Sequence, residues 1–332
     1  MEKVEIKKHM TVKRFMKNST TYIMFVVLFI ICWLLSDTFG SWSNIGNLIR
    51  QNSALVWVSM GMLMVIISGG IDLSAGSLVG LSSVTVATFL SVLKWGAFPS
   101  IILTILVCCA VGAISGVLVA YMRMPPFITT LAMAQVANGI SLYICRGAPV
   151  QMQDAPASIK WIAILRIPGQ NGGFSELLSF LTLLLVIIAV VIWFVLKYTS
   201  FGRTLYAIGS NENAVRLAGI DLRIQKFLVY VLSGLFCGVA GIIGASRTNS
   251  GTYSAGSGWE LTAIAACVIG GANLAGGSGS VSKVIVGVFV LALIGNIMNL
   301  LAIPAYPQSI IKGVIIIAAV LSQTRGAFRR GA

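Results

Sequence analysis

Charge is scarce in this sequence: of 332 residues only 10% are Asp, Glu, Lys or Arg, nine are acidic, and His9 is the single histidine. Acid/base and metal chemistry need several His, Asp or Glu converging on one point, so this supply argues against an enzyme built on such a cluster. The six cysteines (Cys32, Cys108, Cys109, Cys145, Cys237, Cys267) form no C-x-x-C pair and lie in or at the ends of apolar runs. A zinc site, a disulfide framework and thiol catalysis are therefore not expected. No G-x-x-x-x-G-K-[ST] phosphate loop is present. The "GGSGS" run at Gly276 to Ser280 ends in serine, so it fails the G-x-S-x-G pattern of a nucleophile elbow.

Hydrocarbon is what the chain has in abundance, with 57% hydrophobic residues and a mean hydropathy of +0.94. Stretches of roughly 17 to 25 apolar residues, each able to cross about 30 Å of lipid as a helix, recur between short polar connections. The expected fold is all-α: a polytopic membrane protein of about ten transmembrane helices, forming one domain over 1–332. Spans are predicted near 22–36, 54–71, 73–93, 98–122, 128–145, 177–196, 227–245, 261–274, 284–303 and 310–321. The first follows a basic arm, 1–20, with no small-residue cleavage site, and reads as a retained helix rather than a signal peptide.

The net charge of +14 could suggest nucleic acid, but the basic residues concentrate at the termini and in one loop, as orientation signals do. With the N-terminus in the cytoplasm, 16 of the 23 basic residues fall inside, 6 fall outside, and Lys312 lies within a span. Both termini are then cytoplasmic, 197–226 is the large cytoplasmic loop, and 146–176 is external. The external loop holds Pro149, Pro156, Pro168 and the turn-forming "GQNGG", and serves either as a resting place for a partner or as a solvated connector.

The stretch "ISGGIDLSAGS" from Ile67 has a twin in "VIGGANLAGGS" from Val268. At a constant offset of 201, Gly69, Gly70 and Asp72 fall on Gly270, Gly271 and Asn273, which reads as an internal repeat with Gly-interrupted helices. Such paired breaks line the path of alternating-access transporters, and Gly69, Gly70, Asp72, Ser74, Gly270, Gly271 and Asn273 are candidates for that role. Asp72 and Asn273 share the capacity to cap a restarted helix. The other reading makes each motif a tight cytoplasmic turn.

In the cytoplasmic loop, Asn211 or Ser210 can cap a two-turn helix that Gly219 ends, with Glu212 and Arg216 paired at i,i+4. Ala214, Leu217 and Ala218 form one small apolar face. A lone helix of this length is marginal in water, so a partner is expected, either its own bundle or a cytoplasmic subunit.

The loop "GSNENAVRLAGI", the downstream "YVLSGLFCGVAGIIGASR" and "GWELTAIAACVIGGANLAGGSGS", and the upstream "GGIDLSAGS" and "PPFITTLAM" together resemble the permease subunit of ribose-type ABC importers. That resemblance covers nearly the whole chain. It implies a bacterial inner-membrane subunit importing a monosaccharide such as ribose, working beside a second permease copy or a relative. It also implies two cytoplasmic ATP-binding subunits, an external sugar-binding protein and surrounding lipid, with no nucleic-acid partner. ATP and Mg²⁺ would be handled by the partner, leaving no cofactor in this chain. Asn211, Glu212, Ala214, Arg216, Leu217, Ala218 and Gly219 match the family's ATPase-coupling helix. The sequence departs from the family pattern at Thr262, at Lys283 and in the tail "VLSQ", two lost acids and a gained lysine that bear on substrate identity.

Phe127, Asn138, Asn273, Asn296, Asn299 and Gln308 are the candidate path residues for a sugar, since aromatics stack on sugar faces and amides bond hydroxyls. Trp259 and Glu260 are expected at an external or interfacial position. The competing class is an ion-coupled secondary transporter using Asp72 or Glu260. Neither acid has a basic partner at helical spacing, and a proton relay needs more acids than these.

Overall fold

A computed structural model describes the backbone of residues 2–152 and 179–331 and the side chains of 19–152 and 179–321. Most of the expected external loop, 146–176, falls outside the described residues. Among those described, twelve α-helices follow one another: α1 Glu2–Leu35, α2 Trp42–Ile67, α3 Ala75–Ala87, α4 Ala97–Ala120, α5 Pro126–Cys145, α6 Phe180–Tyr198, α7 Ser200–Ser210, α8 Glu212–Leu217, α9 Leu222–Thr248, α10 Trp259–Ile269, α11 Val281–Leu300 and α12 Ala305–Gly331. A π-turn, Thr88–Val92, extends α3. The short strands β1, Val150–Gln151, and β2, Ser250–Gly251, pair antiparallel with Val150 opposite Gly251.

Seven helices are long and apolar enough to cross a membrane: α2, α3 with its π-turn, α4, α5, α6, α9 and α11. Three shorter apolar helices, Ser19–Leu35, Trp259–Ile269 and Ala305–Leu321, occupy the remaining positions where spans were expected.

At the centre stands α2, buried without interruption from Ser53 to Ile67. A helix that is apolar on every side suits either lipid or a bundle interior, and here its neighbours enclose it. It begins twelve residues before the predicted span because the Ser41 side chain accepts from Asn44 N and caps the first turn. Two of the polar residues that hid this start bond the backbone: Asn44 Nδ2 donates to Phe39 O at 2.9 Å, and Asn52 Nδ2 to Leu48 O at 2.8 Å. Around α2 pack α9, α10 and α11, while α3 lies between α9 and α5. Helices α4 and α9 approach backbone to backbone, Gly112 resting on the Tyr230 carbonyl and Gly234 on that of Cys108, the small-residue contact by which helices associate in lipid.

The predicted span 261–274 is instead the eleven-residue α10, about 16 Å long, half a bilayer. The chain reaches it through an irregular segment, 250–258, laid along α3, with the Tyr253 carbonyl against Gly80 and the Gly256 carbonyl against Gly76. Non-helical backbone at such depth is tolerated only when packed in protein, and α3 supplies that cover.

Candidate functional site

Both Gly-interrupted motifs end a helix in the same way. Gly69 N donates to Ile66 O and Gly70 N to Val65 O, each at 2.9 Å; Gly271 N donates to Val268 O and Ala272 N to Cys267 O, again at 2.9 Å. This is the six-to-one, five-to-two closure of a helix C-terminus, and it demands a left-handed residue, here Gly69 at φ 83° and Gly271 at φ 79°. Beyond each closure a side chain makes the same short turn, with Asp72 Oδ1 accepting from Ser74 N (2.9 Å) and Asn273 Oδ1 from Ala275 N (3.1 Å). The side-chain turns are 201 residues apart, as in the sequence alignment, but the helix closures are 202 apart. The second break is one residue shorter, and Gly270 corresponds to Ser68 rather than to Gly69.

The two breaks touch. Gly277 N donates to Ile67 O at 2.9 Å, and a Cβ built on Gly276 would lie 2.8 Å from Gly209 Cα and 3.1 Å from Gly69 Cα. Gly209, in the last turn of α7, is thus pressed between the two breaks, and Tyr206 of the same helix donates to Gly279 O at 2.9 Å. The start of the apolar part of α1 meets the same place, where Thr21 Oγ1 donates to Ile269 O at 3.0 Å. Both motifs therefore lie at the end of the bundle covered by the 197–226 loop.

Asp72 is 2% exposed. Its Oδ1 also accepts from Ser74 Oγ, and its Oδ2 accepts from Ser233 Oγ of α9 at 2.6 Å. Three neutral donors thus meet a carboxylate whose burial in a membrane costs about 3 kcal/mol. The cap position of α3 belongs to Ser74, and the Asp72 carboxylate grips its amide and hydroxyl, tying the entrance of α3 to α9. Asn273, its twin, is exposed, and its side chain accepts from Ala275 N of its own turn. Glu260 sits in the first turn of α10 with its carboxylate against Gly76, in the first turn of α3, where the helix dipole favours a negative charge.

In the loop, Asn211 Oδ1 accepts from Ala214 N at 3.0 Å and caps α8, and Gly219 at φ 77° follows its end. Glu212 bonds Lys226 Nζ at 2.7 Å and approaches Arg216 at 3.5 Å. Val215 anchors α8 in a small cluster with Ile208 and Leu222. The opposite face is bare: Leu217 is 89% exposed and Ile220 41%, with Ala214 and Ala218 exposed beside them.

At the other end of α2 opens a cavity of about 590 Å³ between α2, α10, α11 and α12. Asn296, Asn299, Gln308 and Trp259 line it, gathered from three of these helices. Gln308 Nε2 donates to Asn299 Oδ1 and to Ile303 O, both at 2.9 Å, closing the turn from α11 into α12. Phe127, half exposed near the start of α5, and Asn138 do not line it. Gln51, Asn52, Thr262 and Lys312, which sequence reasoning did not place in the path, do. Gln51 and Asn52 precede the predicted second span, so hydropathy gave no signal for them.

A polar hollow in a membrane bundle, reached from a loop at the opposite end through two jointed helices, is the construction of a transport permease. Residues 44–320 match the family described as "Branched-chain amino acid transport system / permease component". The ribose import permease protein RbsC of Escherichia coli K12 is 35% identical over 311 residues, covering 93% of this chain and 94% of its own length. The galactose/methyl galactoside import permease protein MglC of the same strain is 35% identical, covering 92% of this chain and 94% of its own length. For the xylose transport system permease protein XylH, also from K12, the identity is 33%, with 90% and 88% covered. No solved structure matches the chain. The chain belongs to this permease family, on the ribose-type branch of ABC sugar permeases.

Proposed function

We propose that this chain lines the path by which a neutral monosaccharide enters a bacterial cell, and that a separate cytoplasmic ATPase drives it through α8. The exposed apolar face of α8, with Leu217 at its centre, carries the reading, because the face has no cover among the described residues and its helix is joined to α7, whose Gly209 touches both breaks. A bare apolar face on a charged loop suits a groove on another protein. ATP and Mg²⁺ would be bound in that partner. Closure of the ATPase would push α8 and α7 against the breaks, and ATP binding would have to favour one state by several kcal/mol to switch the population fully. A second copy of this chain or a related permease would complete the path. An external sugar-binding protein would supply it, and both termini would lie in the cytoplasm.

The names of the relatives support a small sugar as cargo, and the amide-lined cavity suits one. The test is purification of the tagged chain from its native host, followed by reconstitution with the proteins that accompany it. Sugar uptake that requires ATP and survives collapse of the ion gradients supports the proposal. Uptake that stops with the ion gradient while ATP is intact overturns it.

A further inference from the structure

Helix α6 is the most apolar of the seven spans, and exposed Val186, Val190 and Trp193 stand on it at i, i+4 and i+7. Side chains so spaced share one face, and at membrane depth an exposed apolar face meets lipid tails. One turn beyond Trp193 the stripe ends in Lys197, whose Nζ lies 5.0 Å from the centre of the Trp193 ring and 5.2 Å from that of Tyr198. The two rings hold the ammonium at the end of the span while leaving its three N–H donors without a lone-pair acceptor. Arg203, near the start of α7, is pinned as well, its Nη1 donating to Tyr198 O at 3.1 Å. Both cations line one hollow of about 380 Å³ between the end of α6, α7 and the start of α11. Tyr206 and Ser280 add to its polar wall, and Trp193 and Val281 to its apolar one. No carboxylate lines the hollow, and neither cation has one as a partner among the described residues, whereas Lys226 and Arg216 of the same loop share Glu212.

Two fixed cations without a counter-ion, at the end of a lipid-facing stripe, select a ligand with an anionic head and apolar tails. A free anion would engage the cations and leave the stripe unused, and a zwitterionic lipid would bring its own cation against theirs. We propose that this hollow holds the headgroup of an anionic phospholipid, its phosphate between Lys197 and Arg203 and its acyl chains along Val190 and Val186. Arg203 keeps four N–H groups for phosphate oxygens after the one given to Tyr198, in the planar fork that such oxygens match. The site does not depend on what the permease carries, yet it bears on the moving parts. Tyr206 at its wall donates to Gly279 O at 2.9 Å, and Gly209, in the last turn of the same helix, touches both breaks.

The test titrates the purified permease in detergent with dioleoylphosphatidylglycerol or dioleoylphosphatidylcholine and counts bound lipid by native mass spectrometry. Each Lys or Arg near a membrane surface adds about fivefold to affinity for an anionic lipid, so the wild type should prefer phosphatidylglycerol by at least about that factor. Lys197→Gln and Arg203→Gln should each weaken phosphatidylglycerol binding about fivefold, and the double variant about twentyfold, with phosphatidylcholine binding unchanged. Arg223→Gln, at the start of α9 and outside the hollow, should stay within about twofold of wild type. Equal binding of the two lipids by the wild type overturns the proposal, as does full phosphatidylglycerol affinity in the double variant. An equal loss in Arg223→Gln overturns it too, since the attraction would then be to the charged surface at large. Displacement of the lipid by equimolar glycerol 1-phosphate overturns it in favour of a site for free phosphate. Should the double variant fail to fold, the wild type crosslinked to a phosphatidylglycerol with a photoreactive headgroup decides: adducts should map within 193–206 or 279–283, and adducts only elsewhere overturn the proposal.

Discussion

Gly277 N donates to Ile67 O across 2.9 Å, fastening the segment after the second helix break to the last turn of the helix before the first. The two Gly-interrupted motifs are thereby joined through a peptide group, and Gly209 of α7 occupies the space beside it. A Cβ at Gly209 would overlap Ile67 O and Gly277 N. Gly276 carries a second constraint, φ 97°, which costs an L-residue about 1–3 kcal/mol besides its contact with Gly209. Gly209→Ala and Gly276→Ala should therefore abolish or strongly reduce import, whereas Gly139→Ala, at a site with nothing within 4 Å, should not. Transport assays on matched expression levels check this; normal import by Gly209→Ala would show that the contact at the breaks is not needed.

The loop helix permits a separation of folding from coupling. The Glu212 carboxylate is 42% exposed, so its bonds to Lys226 and Arg216 contribute at most about 1 kcal/mol after solvent screening. The side chains of Leu217 and Ala214 are exposed, Leu217 at 89%. Glu212→Lys, Leu217→Asp and Ala214→Trp should leave the thermal unfolding of the purified permease within a few degrees of wild type, while import falls more than about tenfold and the ATPase no longer co-purifies. Intact import in all three would remove α8 from the coupling path.

Asp72 distinguishes a charge from an acceptor. In Asp72→Asn, Oδ1 still serves Ser74 N and Oγ, and Ser233 can reverse its hydroxyl to accept from the new N–H. The expected loss of stability is about 1 kcal/mol, with import largely retained. Asp72→Leu leaves three donors without an acceptor at a site 2% exposed, at about 1–3 kcal/mol for each. Unfolding of both variants in one detergent gives the comparison, and equal loss of import in the two would restore a requirement for charge.

Much of this was visible before any coordinates. The apolar helices fall where hydropathy places them, and Asn211, Glu212 and Gly219 bound and support α8 as their residue types dictate. The breaks at Gly69 and Gly271 follow from glycine's access to left-handed backbone. Features set by contacts between distant segments were hidden. Hydropathy measures transfer into lipid, so it missed the first three turns of α2, whose amides are satisfied by protein. It also counted α10 as a full span, because nothing local in 250–258 shows that α3 presents Gly76 and Gly80 to its carbonyls. The 201-residue offset was legible, but the one-residue slip within it belongs to backbone bonds, to which sequence identity is blind. Gly209 gave no signal except its size.

Not every amide lining the cavity should read the cargo. Asn44 and Asn296 bond each other twice, Asn44 Nδ2 to Asn296 Oδ1 at 3.1 Å and Asn296 Nδ2 to Asn44 Oδ1 at 2.9 Å, locking the start of α2 to α11 across 252 positions of sequence. Such an interhelical pair in a membrane is worth about 0.6 to 1.7 kcal/mol by double-mutant cycles. Asn44→Ala and Asn296→Ala should each lower stability, and the double variant should cost less than their sum by about that amount, because the second truncation removes a partner already lost. The order in which sugars are preferred should not change. Unfolding of the four proteins in a common detergent, with import of ribose, galactose and xylose measured beside it, decides the matter: strict additivity with an altered sugar preference would move Asn296 from the scaffold to the recognition surface.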